Sequence, residues 1–394
     1  MMNGDKQLLK EWDIKKLGEV CEVIAGQSPE GRYYNNKEEG LPFYQGKKEF
    51  TKKYIGKPKK WTTKVTKEAL KDDILISVRA PVGPINYSTQ KICIGRGLAA
   101  IRASGKIERE YLYNFLVKHE NEIVGNTGAV FNSINKSQIG AIQIPLPPLS
   151  EQKRIVSILD KAFKAINLAK TNAEQNLKNA KELFESYLYN IFENKGDDWV
   201  EKKLREVLQK TKTVNPKLKP NDEFIYLDVS SVNKETKLIE NTTFLLGKDA
   251  PSRARKLVET DDIIFATVRP THSRVAIITE EYNNQVCSTG YYVLKGKKYL
   301  RNHFIFYFLL TYGFNKKMES MQKGASYPAV TNKEIESVFI SYPKTIKEQK
   351  QIVKKLDALQ TQTKKLETLY QQKINNLVEL KKSVLQKAFA GELT

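Results

Sequence analysis

The hexapeptide Glu151-Gln152-Lys153-Arg154-Ile155-Val156 returns with one change, about half a chain length later, as Glu348-Gln349-Lys350-Gln351-Ile352-Val353. A Leu-Asp pair follows each copy at the same distance, at Leu159-Asp160 and at Leu356-Asp357. Self-similarity at a fixed spacing indicates a duplicated architecture. Since the chain has 394 residues, the spacing of the two copies predicts a unit that occupies one half of the chain.

Further matching segments extend the duplication over the whole sequence. Trp12–Val20 matches Trp199–Val207, and Asp72–Arg79 matches Asp261–Arg269. Each half is therefore predicted to contain a globular domain followed by a helical segment. The expected boundaries are residues 1–149 and 197–344 for the globular domains, and residues 150–196 and 345–394 for the helices.

The segments that follow the repeated hexapeptide have the apolar spacing of a coiled coil. Apolar residues recur in alternating steps of four and three, with breaks at Asn176, Thr363 and Lys373, and this is the heptad pattern. About forty residues at ~1.5 Å each predict helices roughly 60 Å long. We expect the two helices to pair antiparallel, which would relate the halves by a pseudo-two-fold axis; the alternative is that each helix packs on its own domain. The predicted pairing residues are Ile155, Leu159, Ile166, Leu183, Ile352, Leu356, Leu366, Leu377 and Leu380.

The globular halves combine short strands with single helices. Ile74–Val78 and Ile263–Val268 are β-branched runs that predict strands, while Glu110–Lys118 and Asn302–Tyr312 predict helices. This mixture predicts the α+β fold class.

Basic residues dominate the charge of the chain. It has 66 Lys and Arg against 45 Asp and Glu, a formal net charge of +21. One cluster of lysines, between Lys47 and Lys64, is interleaved with Phe50, Tyr54 and Trp61. Cations mixed with aromatic rings outside an amphipathic helix favour a nucleic-acid surface over a membrane surface. A merely solvated lysine-rich surface is the alternative.

The remaining composition favours a cytoplasmic protein without a membrane segment. The three cysteines are widely scattered, which argues against a disulfide framework or a cysteine zinc site and fits a reducing compartment. The apolar run at Phe304–Leu310 is far shorter than the roughly 20 residues of a membrane helix. Met1–Trp12 is polar and shows no signal-peptide pattern.

Catalytic motifs are missing, with one weak exception. Asp228 followed by Glu235-Thr236-Lys237 has the residue types of a magnesium-dependent nuclease. The Glu-x-Lys part lies in a polar segment that is typical of a turn. A stand-alone endonuclease is therefore kept only as an alternative to a DNA-binding protein that does no chemistry itself.

Five segments resemble the specificity subunit of type I restriction-modification systems: Trp12–Val20, its copy Trp199–Val207, Ile142–Val156, Cys287–Leu294 and Gly324–Val330. The resemblance implies a non-catalytic reader of double-stranded DNA, in which each half recognises one part of a bipartite, asymmetric target and the helices set the spacer. It also implies assembly with two methyltransferase subunits and with restriction/translocase subunits. Those partners would carry S-adenosylmethionine, ATP and magnesium, and this chain no cofactor or metal. A specificity subunit of a combined cutting-and-modifying (type IIB-like) enzyme is a second alternative.

Side chains that could read DNA are predicted in each half. Arginine and lysine suit guanine acceptors, glutamine suits adenine, and Arg79 directly follows a strand. The alternative for each residue is a contact to phosphate alone. The candidates are Gln45, Lys47, Lys48, Arg79 and Arg96 in the first half, and Arg253, Arg255, Arg269, His272, Arg274, Ser326 and Tyr327 in the second.

Overall fold

The computed structural model describes residues 12–120, 122–123 and 133–393. The expectation of no signal peptide rests on Met1–Trp12, of which residues 1–11 lie outside the described residues. The chain divides into two compact units: unit 1 is Met1–Ala173 with Gln372–Thr394, and unit 2 is Glu174–Gln371. The helices of the described part are α1 (Leu17–Val20), α2 (Arg109–Lys118), α3 (Lys136–Gly140), α4 (Leu149–Glu193), α5 (Leu204–Val207), α6 (Asn302–Leu309), α7 (Tyr312–Met321), α8 (Asn332–Glu336) and α9 (Ile346–Phe389).

The described part of unit 1 contains three sheets. Their orders are β1-β11, β2-β10-β7-β8 and β3-β5-β4-β9-β6. Neighbouring strands are antiparallel except β4 and β9, which run parallel. The strands are β1 (Asp13–Lys16), β2 (Cys21–Ala25), β3 (Tyr34–Asn35), β4 (Leu41–Tyr44), β5 (Trp61–Thr62), β6 (Glu68–Ala69), β7 (Ile74–Ser77), β8 (Ile85–Tyr87), β9 (Ile92–Ile94), β10 (Leu98–Ala103) and β11 (Gln143–Leu146).

Unit 2 repeats this plan with modifications. Its sheets have the orders β12-β20, β14-β13-β18-β15 and β17-β16-β19, and β13 and β18 form a parallel pair. The pairing of β2 with β10 in unit 1 is reduced here to one bridge between Leu208 and Gly296. The strands are β12 (Trp199–Lys203), β13 (Glu223–Leu227), β14 (Thr243–Leu246), β15 (Ala254–Val258), β16 (Ile263–Ala266), β17 (Val275–Ile277), β18 (Gln285–Ser288), β19 (Tyr291–Leu294) and β20 (Phe339–Pro343).

The α+β class and the internal repeat are therefore confirmed. One predicted helix differs: the segment Asn302–Tyr312 forms α6 and the start of α7 instead of one helix. Thr311 separates them because its side chain accepts a hydrogen bond from the backbone N–H of Phe314 (3.2 Å) and so caps α7. Within the described residues, none of the helices combines the length and apolarity that crossing a membrane requires.

The long helices α4 and α9 pair antiparallel within each unit. In unit 1, Ile155 near the start of α4 shares a core with Phe389 at the end of α9. In unit 2 the relation is reversed, and Phe192 near the end of α4 shares a core with Leu356 near the start of α9. These cores also include residues of the sheets and of α2 or α6, so each helix packs both on its partner helix and on the globular part of its unit.

Six of the predicted pairing residues are buried or partly buried: Ile155, Leu159, Ile166, Ile352, Leu356 and Leu377. The other three, Leu183, Leu366 and Leu380, are exposed, so the strict heptad is wrong at these positions. An α-helix has 3.6 residues per turn and drifts by ~20° per heptad from a 3.5-residue repeat. The partly buried positions accordingly fall one residue later, at Phe184, Glu367 and Lys381.

The glutamine of each repeated hexapeptide fastens a long helix to the sheets. Gln349 is fully buried; its Oε1 accepts the N–H of Arg301 (2.9 Å), and its Nε2 donates to the carbonyls of Tyr299 (3.0 Å) and Pro343 (2.9 Å). Gln152 is also fully buried and repeats the arrangement in unit 1. The best-matched residues of the duplication therefore form the junction between helix and domain.

Replacing Gln349 by leucine should lower the free energy of unfolding of unit 2 by about 1–3 kcal/mol, since buried backbone groups would lose their partners. Gln351→Leu is the matched control because Gln351 is exposed on the same helix. Hydrogen exchange of the amides in β19 measures the change. Equal effects of the two substitutions would contradict the role assigned to Gln349.

Candidate nucleic-acid interface

A parallel strand pair gathers predicted DNA-reading residues at one edge of unit 1. Tyr44 at the end of β4 lies opposite Ile94 at the end of β9, so Gln45 and Arg96 follow the two strands at the same edge. The N–H of Gly97 donates to the carbonyl of Gln45 (3.0 Å). A Cβ on Gly97 would lie 2.5 Å from that carbonyl oxygen, so the close approach of the two loops requires glycine.

Arg79 reaches the same edge from a different sheet. Val78, which precedes it, donates its N–H to the carbonyl of Gly97 (3.0 Å). Lys47 and Lys48 lie in a single 3₁₀ turn directly after Gln45 and Gly46. We call the five exposed side chains at this edge the unit 1 cluster: Gln45, Lys47, Lys48, Arg79 and Arg96.

The four cations of the unit 1 cluster have no salt bridge among the described residues. The nearby Lys53 differs: its Nζ lies 3.0 Å from a carboxylate oxygen of Glu110 and 5.4 Å from the ring centre of Tyr113. Lys53 therefore stabilises the packing of the lysine-rich segment on α2. Only part of that segment's positive charge remains for a ligand.

Unit 2 uses the equivalent edge. Leu227 at the end of β13 lies opposite Cys287 in the parallel strand β18. Just beyond, the N–H of Thr289 donates to the carbonyl of Arg253 (2.8 Å), and the N–H of Thr267 donates to the carbonyl of Gly290 (2.8 Å). These hydrogen bonds bring Arg253 and the chain that leads to Arg269 to the same edge of the sheet. Arg269 leads directly into the short 3₁₀ turn Pro270–His272. Together with the loop described next, the exposed residues here form the unit 2 cluster: Arg253, Arg269, His272, Ser326 and Tyr327.

The loop carrying Ser326 and Tyr327 is tied at its base and joined to Arg269. Lys323 and Ala329 exchange two backbone hydrogen bonds of 2.9 Å. The N–H of Arg269 donates to the carbonyl of Pro328 (2.7 Å), and its guanidinium lies 5.4 Å from the ring centre of Tyr327. The Tyr327 side chain nevertheless remains 74% exposed. An exposed ring held against a cation suits contact with a base or sugar.

Two predicted base readers of unit 2, Arg255 and Arg274, donate hydrogen bonds to backbone carbonyls of the protein itself. The Arg255 guanidinium donates to the carbonyl of Ala254 (2.8 Å), and that of Arg274 donates to the carbonyls of Val232 and Ser230. Both side chains are partly buried. Arg274 thus positions the loop after β13, which the sequence could not reveal because it shows a charge and not the direction of the guanidinium.

Asp228 and Lys237 of the predicted nuclease motif have structural roles. Asp228 is the N-cap residue of a short 3₁₀ turn: its backbone N–H donates to the hydroxyl of Ser231 (3.1 Å), and its carboxylate accepts the hydroxyl of Ser230 (3.4 Å). Lys237 donates to the carbonyls of Lys234 (2.6 Å) and Ser273 (2.7 Å), and burial lowers the pKa of its ammonium to about 8. Across residues 12–120, 122–123 and 133–393, no three His, Cys, Asp or Glu side chains are grouped to hold a metal ion.

Ser28 also belongs to this edge of unit 1, although it is not among the DNA-reading residues predicted from the sequence. Its Oγ accepts the N–H of Arg96 (3.2 Å) and donates to Oε1 of Gln45 (3.0 Å). The only signal in the sequence is the turn-forming segment Gly26–Pro29, directly after β2. Such a turn does not show which side chain it will face.

The chain matches one family model twice, over residues 9–179 and 196–376: the type I restriction modification DNA specificity domain. The putative type I restriction enzyme MjaX specificity subunit of Methanocaldococcus jannaschii is 40% identical over 182 residues, which is 45% of this chain and 42% of that protein. The MjaIX specificity subunit of the same organism is 23% identical over 98% of this chain and 94% of its own length. The EcoDI specificity subunit of Escherichia coli is 22% identical over 98% and 89%.

Two solved structures share the fold. A chain from a structural study of complex assembly and conformational transition of the type I R-M system has a TM-score of 0.75 and 19% identity, over 97% of this chain and 98% of that one. The HsdS subunit from Thermoanaerobacter tengcongensis has a TM-score of 0.63 and 19% identity, with 97% of each chain covered. The two-unit fold therefore occurs in other proteins with little sequence in common.

Proposed function

The chain belongs to the type I restriction modification DNA specificity family, and from this premise we propose that it is the DNA-reading subunit of a type I restriction-modification complex. Each unit reads one part of a bipartite target in double-stranded DNA. The family model matches once in each half of the chain, which supports two readers in a single polypeptide. Because its target would be chromosomal DNA, we also propose a cytoplasmic location for the complex.

The two clusters at equivalent strand ends are the observation that carries this proposal. Both lie where the parallel strand pair ends, so the same framework presents side chains in both units. The side chains themselves differ: Gln45 follows β4, whereas Asp228 follows β13 and is used as a cap. Because the two units share the strand arrangement but present different side chains, we expect the two halves of the target to differ in sequence.

The chemistry is assigned to partner subunits. Two methyltransferase subunits would bind S-adenosylmethionine and modify the target, and restriction/translocase subunits would use ATP and magnesium. The names of the relatives as specificity subunits support this division. So does the role of Asp228 as a cap, because the strongest candidate for a catalytic carboxylate has its oxygens directed at its own loop.

Methylation-aware sequencing of the host genome, with and without this gene, tests the proposal. We expect one bipartite motif, with a fixed unread spacer, to lose its methylation when the gene is removed. Unchanged methylation would contradict the proposal. The purified chain with magnesium serves as a second assay, since sequence-specific cutting of DNA by the chain alone would favour the endonuclease.

The helices α4 and α9 each continue from one unit into the other without a break, and we propose that their length sets the spacer. Removing seven residues from both helices shortens each by about 10 Å, or roughly three base pairs at ~3.4 Å per pair. The preferred spacer in the methylated motif should shorten accordingly. Removing seven residues from α9 alone should abolish methylation because the pairing would lose its register. If the double deletion still methylated the motif at the original spacing, the proposal that helix length sets the spacer would be contradicted.

A further inference from the structure

We propose that Gln45 reads its base only as a hydrogen-bond donor, through its amide nitrogen, and that Ser28 is the positioning residue that enforces this. The base edge it fits has two acceptors, as guanine has in the major groove. This inference rests on the proposed function, because it concerns how unit 1 reads its half of the target.

Three groups form a short chain of hydrogen bonds. The backbone N–H of Arg96 can only donate, and it donates to Oγ of Ser28 (3.2 Å). The serine hydroxyl then donates to Oε1 of Gln45 (3.0 Å). Because one end of the chain is a backbone donor, the hydroxyl proton is available for the amide oxygen. The amide of Gln45 is thereby held with its oxygen toward the protein.

The glycine at position 95 leaves the room in which the amide of Gln45 lies in this orientation. A Cβ built on Gly95 would lie 3.0 Å from Oε1 of Gln45 and 3.0 Å from its Cα. The amide oxygen thus lies over the glycine backbone, in a place that a side chain at position 95 would fill. Gln45 is an exposed residue, and among the described residues no acceptor is bonded to its Nε2. Two N–H groups therefore face outward.

This orientation changes which base Gln45 can recognise. A freely rotating glutamine pairs with adenine by accepting from N6 and donating to N7. With Oε1 held toward Ser28 and Gly95, the part of the amide that faces outward is the donating nitrogen. Guanine presents N7 and O6, both acceptors, whereas adenine would place its N6 donor against the amide N–H. Residue type alone predicts adenine as the base that Gln45 reads. The orientation of its amide instead favours guanine.

The surrounding charges favour the same choice. Lys47, Lys48, Arg79 and Arg96 are exposed at this edge, and all of them are donors that suit phosphates and acceptor-rich base edges. In unit 2 the residue at the equivalent strand end is Asp228, whose carboxylate accepts the hydroxyl of Ser230 in its own loop (3.4 Å). An outward-facing amide donor is therefore present at this strand end in unit 1 but not in unit 2, so the two units should prefer different bases.

The test uses the assembled complex with its methyltransferase partners and reads the methylated motif by sequencing. Gln45→Ala should relax one position in one half of the motif, and the wild-type base there should be guanine. The loss of preference should be roughly 5- to 100-fold. Ser28→Ala should release the amide, so that adenine is accepted beside guanine at that same position. Gln45→Glu should replace the outward donor by an acceptor and move the preference to cytosine.

Ser157→Ala is the matched control because Ser157 is exposed on α4, and it should leave the motif unchanged. The half of the motif read by unit 2 should stay intact in every variant, which separates altered reading from a failure to fold. An adenine at the position relaxed by Gln45→Ala would overturn the inference. So would a wild-type preference in Ser28→Ala, or no position that responds to Gln45→Ala. If the wild-type chain produced no bipartite motif at all, the proposed function itself would fail.

Discussion

Replacing Phe389 by alanine is expected to lower the free energy of unfolding of unit 1 by about 3–5 kcal/mol, the usual cost of emptying a buried phenylalanine site. Phe389 is 6% exposed, and its ring centre lies 5.0 Å from that of Tyr111 and 5.5 Å from that of Phe115. Both tyrosine and phenylalanine belong to α2, in the middle of the unit 1 core. The substitution therefore opens a cavity where the end of α9 closes this core.

Hydrogen exchange distinguishes the two units in this experiment. Amides of β10 report on unit 1 and those of β19 on unit 2, and only the first group should lose protection. Leu380→Ala is the control because Leu380 lies on α9 within unit 1 but is 48% exposed. Its effect should stay within about 0.5 kcal/mol. A similar loss for both variants, or equal losses in both units, would show that Phe389 does not complete the unit 1 core.

Replacing the four cations of the unit 1 cluster by glutamine should weaken DNA binding by the assembled complex roughly 100-fold at physiological salt. Each phosphate contact that is lost should also reduce the slope of log K against log salt by about 0.9. The reason is local: Lys47, Lys48, Arg79 and Arg96 are exposed at one edge and have no salt bridge among the described residues. Binding measured at several salt concentrations gives both quantities.

A control with the same change in net charge separates contact from bulk charge. Lys153, Lys161, Lys164 and Lys373 are exposed on the long helices of unit 1, and their replacement by glutamine also removes four positive charges. This variant should keep most of the affinity and nearly the whole salt slope. If both quadruple variants lost affinity equally, the unit 1 cluster would not be the DNA contact of this unit.

Local patterns in the sequence predicted much of the fold. Glu151–Val156 and its copy located the two long helices, and the β-branched runs at Ile74 and Ile263 located central strands. These are signals of spacing and composition, which depend on neighbours in the chain. The positions of Leu183 and Leu366 were wrong for the same reason, because a fixed heptad ignores the drift of a 3.6-residue helix along its partner.

The site was only partly predictable because it depends on strand pairing over long distances. Nothing in the sequence joins Gln45 to Arg96; the parallel pairing of β4 with β9 does so. The same limitation applies to Ser28, because its role depends on its hydrogen bonds to the N–H of Arg96 and to Oε1 of Gln45. Arg274 shows the opposite case, a charge that suggested a reader and in fact holds a loop through backbone carbonyls.

The position of Phe389 also has a consequence in time. Unit 1 begins with the first described residues but is closed by residues after Gln371, which the ribosome adds only after all of unit 2. Roughly 200 intervening residues at about 5–20 residues per second mean a delay of about 10–40 s. During it, Tyr111 and Phe115 lack the ring that covers them. We therefore expect unit 2 to finish folding before unit 1, and the exposed core of unit 1 to need protection from aggregation during synthesis.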